Sequence, residues 1–291
     1  MKHTAFNPRF SFFMILGLFL ITIIPVLSGN LFEADARPLD YRARLSAKDA
    51  AADNSIEDVR AEINFGREVA ARILGRFKLN RDDILTRYVN LVGHSLLRHT
   101  NRPELDFHFA VLDSDTINAY TAPGGYIFIT LGALTLMEDE AELAGVLAHE
   151  IAHATEKHIV RELNIKGSEQ SAAAGLAHLL GGAGDPTKMA FVQAVDMAMD
   201  LLFTKGLNKQ DEFVSDEIGT FLLATAGYDP SALQRYLLKV KKSREDKLQV
   251  LYSTHPAFEE RLAALALAIS ENGLNNLQLP TLKERFNATL R

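Results

Sequence analysis

The sequence predicts an α+β fold, mostly helices around a small sheet. Three observations predict it. Long stretches carry apolar residues at helical spacing, while two short ones alternate as strands do. A proline-glycine turn precedes the second strand. A long helix then follows, so the sheet should lie beside it. With 291 residues and 47% hydrophobic content, the chain can bury a substantial core. One domain over residues 54–291 is expected.

The elements follow in order. Residues 54–78 are helical, with Val59, Ile63, Val69, Ile73 and Leu74 apolar. A second helix starts near Asn80, a good cap, and carries Ile84, Tyr88, Leu91, Val92 and Leu96. Phe107–Leu112 and Tyr126–Thr130 alternate as strands, with Pro123-Gly124-Gly125 as a turn. A long helix is predicted over Glu138–Val160, with Leu143, Val146, Leu147, Ile151 and Ala154 on its core face. Residues 164–190 are rich in Ala, Gly and Ser and read as weakly packed, with a hinge at Gly181-Gly182-Ala183-Gly184. A helix over Gln210–Ala226 ends at Gly227. Asp229-Pro230 should cap the next one. Thr254-His255-Pro256 leads into a last long helix ending near Ser270.

The N-terminus carries Lys2 and Arg9, an apolar run from Phe10 to Ile24, then Pro25 and Val26-Leu27-Ser28-Gly29. This is the pattern of a secretory signal peptide over residues 1–28, cleaved after Ser28, Gly29 or Ala36. The rival is an uncleaved membrane anchor. Either way the domain is expected outside the cytoplasm, in the periplasm or cell envelope. Residues 29–53 read as a linker. Net charge is -6 with both signs mixed and no long basic run, so no nucleic-acid partner is expected. The chain has no cysteine, which excludes disulfides, thiolate metal sites and cysteine nucleophiles.

The chemistry points to His149-Glu150-Ile151-Ala152-His153. Histidines at i and i+4 share a helix face, so both imidazoles can hold one Zn²⁺. Glu150 can then act as general base toward a water on the metal, the logic of an H-E-x-x-H metalloprotease. A catalytic zinc needs a third ligand. His158 lies about 140° further round a continuous helix and is expected at the surface. Glu212 is the better candidate, with Asp216 one turn later able to accept from a ligand histidine. On spacing alone, an ordinary acidic helix face explains this pair equally well.

Four segments resemble the zinc metallopeptidases that include HtpX, BepA and the CAAX prenyl proteases, in the gluzincin group. They are Asn118–Ile127, Glu142–His153, Asn208–Asp216, and Thr254-His255-Pro256 with Arg261. Lys209 and Ser215 depart from the frequent Arg and Ala of the third segment. The resemblance spans residues 60–270. It implies a zincin-like metalloprotease domain, one zinc per subunit and Glu212 as the third ligand. The chain ends soon after its last helix, so stand-alone periplasmic members are the expected parallel.

His255 stays open between a helix cap, an oxyanion stabiliser with a catalytic role, and an inhibitory ligand of a gate formed by residues 245–256. An extended or unfolded polypeptide is expected to add to the edge of the strand Gly125–Thr130, through Gly125, Tyr126, Ile127 and Phe128. The glycine-rich segment reads equally as a lid, a membrane-contacting flap or a helical hairpin. The expected activity is zinc endopeptidase cleavage of misfolded or unassembled envelope proteins, in quality control, with association to a membrane or an envelope-assembly complex. The alternatives are a zinc-binding chaperone or adaptor, and a zinc hydrolase acting on a small amide.

Overall fold

The computed structural model describes residues 55–167, 186–243, 251–255 and 258–290. The expected signal or anchor, the linker, the glycine hinge and most of the proposed gate lie outside them. The domain is α+β, mostly helical, around a three-stranded mixed sheet.

Helix α1 (Ile56–Arg76) starts where Ser55 accepts a hydrogen bond from the Asp58 amide. Phe65, Val69 and Ile73 recur at four-residue spacing on its buried face. Helix α2 (Asp83–Leu97) is capped by Asp82, not Asn80, whose side chain instead accepts from the Asp82 amide. Ile84 and Leu91 prove exposed; Leu85, Tyr88, Val89, Val92 and Leu96 face the core.

The strands are β1 (His108–Leu112), β2 (Ala119–Ala122) and β3 (Tyr126–Thr130), in the order β1-β3-β2. β1 runs parallel to β3, and β2 antiparallel to it. Gly124 and Gly125 both have positive φ, which lets the β2–β3 turn close in three residues. β2 escaped the alternation test because all four of its residues are buried.

Helix α3 (Leu131–Leu136) precedes the long α4 (Glu140–Thr155). α4 is capped by Asp139 and buried from Glu140 to Ala154 on every side. A helix surrounded in this way belongs to the centre of the core. The expected run to Val160 breaks at Lys157, which has φ 57°, and a short α5 (His158–Glu162) follows.

Helix α6 (Pro186–Asp200) continues into a π-helical turn, Leu201–Lys205. Helix α7 (Lys209–Ala226) ends at Gly227 as expected and packs along α4. Helix α8 (Ala232–Lys241) starts two residues later than predicted, because Asp229 accepts from the amide and hydroxyl of Ser231 and closes a turn. Helices α9 (Phe258–Glu271) and α10 (Lys283–Leu290) complete the domain. Among the described residues no helix is long and apolar enough to cross a membrane.

Candidate metal centre

The site is built where α7 crosses α4. Gly219 makes the crossing close: a Cβ there would stand 3.0 Å from the His149 amide nitrogen. Asn208 caps α7 by accepting from the Asp211 amide, which sets Glu212 in the first turn. Glu212 and Asp216 then point at the two histidines of α4.

His149 Nε2 and His153 Nε2 stand 3.0 Å apart. Glu212 Oε2 lies 3.6 Å from the first, and Oε1 lies 3.4 Å from the second. Ligand atoms around a tetrahedral ion with bonds of ~2.0–2.1 Å stand roughly 3.3–3.4 Å apart. The three side chains therefore fit a zinc-sized ion. His255 joins them, with candidate ligand atoms of all four residues within 4.8 Å of one another. Its Nδ1 lies 3.0 Å from Glu212 Oε2. A helical turn delivers it, held by the bond from the His255 amide to Leu251 O. The neighbouring Thr254 is tied to the start of β2 by Asn118.

The far sides of His149 and Glu212 are supported. His149 Nδ1 lies 2.9 Å from Asp216 Oδ1. Arg261 grips both oxygens of Asp216 at 2.7 Å and sends Nη1 to Glu212 Oε2 at 2.9 Å. Burial pushes the Asp216 carboxyl upward, but the Arg261 guanidinium outweighs it and holds the group at about 2. Burial likewise opposes ionised Glu212, and the charges of His255 and Arg261 overcome it, so its pKa is lowered. Burial and three neighbouring histidines hold His153 well below the ordinary histidine value. That favours the neutral imidazole, the form that binds a metal. Burial disfavours a charged His255, but Glu212 wins there and raises its pKa.

Glu150 is buried on the same helix. Its Oε2 accepts from the Thr121 hydroxyl at 2.7 Å, and its backbone carbonyl lies 2.9 Å from that hydroxyl. Two small cavities share Glu150 and His255 in their walls. One is largely apolar, with Val146, Leu233, Tyr236 and Leu251. The other runs beside β2, past Tyr120, Thr121 and Leu202.

The structure thus converges His149, Glu150, His153, Glu212, Asp216 and His255. It does not bring in Gly125, Tyr126, Ile127 and Phe128 as a peptide-binding edge. β3 is the central strand, bonded to β1 on one side and β2 on the other, so it has no free edge. Ile127 and Phe128 are buried in core clusters on either side of the sheet. β1 is partly covered as well, since Asn80 and Asp113 bond across to Val111 and Lys78. The outer edge of β2 faces a cavity instead. The sequence also did not reveal the work of Thr121, His158 and Arg261. Arg261 was marked only by its place in a motif, and no sequence pattern announces a left-handed Lys157 that turns His158 inward.

The model of Peptidase family M48 matches residues 83–268. The chain is 30% identical over 210 residues to the beta-barrel assembly-enhancing protease of Escherichia coli (strain K12), covering 69% of this chain and 42% of that protein. It is 27% identical over 164 residues to the mitochondrial metalloendopeptidase OMA1 of Arabidopsis thaliana, covering 56% of this chain and 32% of that protein. The chain thus spans well under half the length of these relatives. A family model matching most of the chain, on the very helices that build the His–His–Glu cluster, makes the chain a member of Peptidase family M48.

Proposed function

We propose that this protein is a zinc-dependent endopeptidase that hydrolyses peptide bonds in extended or unfolded polypeptides. One observation carries the reading. Two histidines of α4 and Glu212 of α7 present ligand atoms at zinc spacing, and Glu150 is held beside them on the same helix.

His149, His153 and Glu212 would hold the ion. When bound, it supplies a Lewis acid that polarises a carbonyl and lowers the pKa of a water to about 7. Glu150 takes the proton of the attacking water and returns it to the leaving amine nitrogen. Asp216 and Arg261 orient His149 and balance the buried charge. Thr121 fixes the Glu150 carboxylate. The cavity beside β2 would take an extended substrate next to the base. The apolar cavity next to Glu150 would receive a substrate side chain. His255, hydrogen-bonded to Glu212, would serve as a further ligand and hold the enzyme latent until substrate displaced it.

The catalytic domain is residues 54–291, behind a signal or anchor at 1–28 and a linker at 29–53. The charged and apolar pattern of those first residues supports export to the periplasm or cell envelope. The name of the beta-barrel assembly-enhancing relatives supports a role in envelope protein quality control, with an assembly complex as partner. Zinc analysis with casein cleavage, and Glu150→Gln as control, tests the reading. One zinc per chain and cleavage lost in Glu150→Gln is the expected result. Bound zinc without wild-type cleavage would favour an adaptor.

A further inference from the structure

The break after α4 has a consequence for the metal site. Lys157 is a non-glycine residue in left-handed backbone, which an L side chain disfavours. The turn swings His158 back beneath α4, where it is almost fully buried. Its Nδ1 lies 2.8 Å from Nδ1 of His153, with the rings near perpendicular. Its Nε2 faces Asp211 Oδ1 at 3.4 Å, and Arg161 Nη2 lies 3.5 Å from the same oxygen. Ser215 Oγ stands further from His158 Nδ1, at 3.4 Å.

We infer that His158, backed by Asp211, is the positioning residue for the ligand His153. Of two ring nitrogens 2.8 Å apart, one must donate and the other accept. His153 turns Nε2 to His149 and Glu212, so its proton belongs on Nδ1. His158 Nδ1 then accepts, and the His158 proton sits on Nε2, toward the Asp211 carboxylate. With that assignment the Nε2 of His153 is left for the metal, and the proton of His158 lies on the side of the Asp211 carboxylate, 3.4 Å away. A ligand histidine held this way keeps its ring orientation and gains basicity at the metal-binding nitrogen.

The two ligands of α4 are therefore supported differently by one helix. α7 reaches His149 directly through Asp216, and His153 indirectly through Asp211 and His158. The same helix supplies Glu212. Residues 211, 212 and 216 thus couple the docking of α7 to all three ligands.

The inference rests on the reading of His153 as a metal ligand, and wild-type zinc binding tests that separately. The experiment uses the full chain and reads zinc affinity by competition with a chromophoric chelator. The visible spectrum of the cobalt-substituted protein is the second readout. His158→Leu keeps volume without an acceptor and should weaken zinc binding about 10–100-fold. His158→Gln, whose carbonyl can accept the Nδ1 proton, should recover most of that loss and a wild-type cobalt spectrum. Asp211→Asn should weaken binding less, and add little to His158→Leu. A folded His158→Leu with wild-type affinity and spectrum would overturn the inference, as would a Gln variant no better than Leu. Should His158→Leu fail to fold, unchanged affinity in Asp211→Asn overturns it. A wild-type chain that binds no zinc overturns the metal-site reading, and this inference with it.

Discussion

The Thr121 hydroxyl reaches from β2 to Glu150 Oε2 across 2.7 Å, so a strand of the sheet holds the proposed base on the helix. That bond fixes one oxygen of the carboxylate. Thr121→Val keeps the shape and removes the donor. We expect it to lower kcat about tenfold, a loss near the 1.4 kcal/mol that one such bond is worth, with KM less affected. Thr121→Ser should retain most of the rate. Glu150→Gln should cost about 10²–10⁴ or more while zinc content stays whole. Steady-state kinetics on a fluorogenic peptide decide it, and a Val variant with wild-type kcat would refute the role of Thr121.

Arg261 is buried against two carboxylates, Asp216 and Glu212. Arg261→Met removes the guanidinium from both. The metal-free protein should lose about 3–5 kcal/mol, as when one partner of a buried pair is removed. Zinc, which neutralises Glu212, should restore part of it. Urea unfolding with and without zinc measures both. An equal loss in the two conditions would mean that Arg261 does not share the charge of the metal site.

His255→Ala removes the proposed fourth partner. Zinc affinity should fall, and casein turnover at saturating zinc should rise because the open position is no longer contested. Unchanged affinity and unchanged turnover together would end the latency idea.

Glu140, at the start of α4, receives bonds from Tyr88 and Tyr228 at 2.7 Å and from Arg285 of α10. Burial raises its pKa, but the Arg285 and tyrosine bonds outweigh that and lower it below the ordinary value. A depressed carboxyl stabilises the fold above its unfolded pKa, near 4.3, and loses this as pH falls through the folded pKa. Glu140→Gln should therefore destabilise the protein at pH 7, by about 1–3 kcal/mol. The difference in Tm from wild type should narrow below about pH 4. A gap that stays constant with pH would count against this linkage.

The legible parts of the sequence were those with a local signature. The His149/His153 helix and the Gly124–Gly125 turn each follow from spacing, capping or a need for positive φ, whereas spacing leaves Glu212 and Asp216 open and only the family resemblance singles them out. What stayed hidden depends on tertiary placement. Tyr126–Thr130 has the pattern of a strand, but its rank in the sheet comes from β2, whose four buried residues carry no alternation. His158 looked exposed because helical spacing was carried past Thr155, and the break falls on a lysine with no sequence mark. Arg261 acts across 45 residues from Asp216, beyond the range of any periodicity.

Helix α4 has no solvent face between Glu140 and Ala154. In a saturation mutagenesis experiment it should appear as an unbroken band of intolerance, with Ala148 and Ala152 as unforgiving as the ligands. Catalytic and packing residues would be told apart only by scoring abundance and turnover separately: Glu150→Gln should leave the first intact and abolish the second. For this helix, then, tolerance to substitution maps the centre of the core, and only chemistry singles out the residues that work.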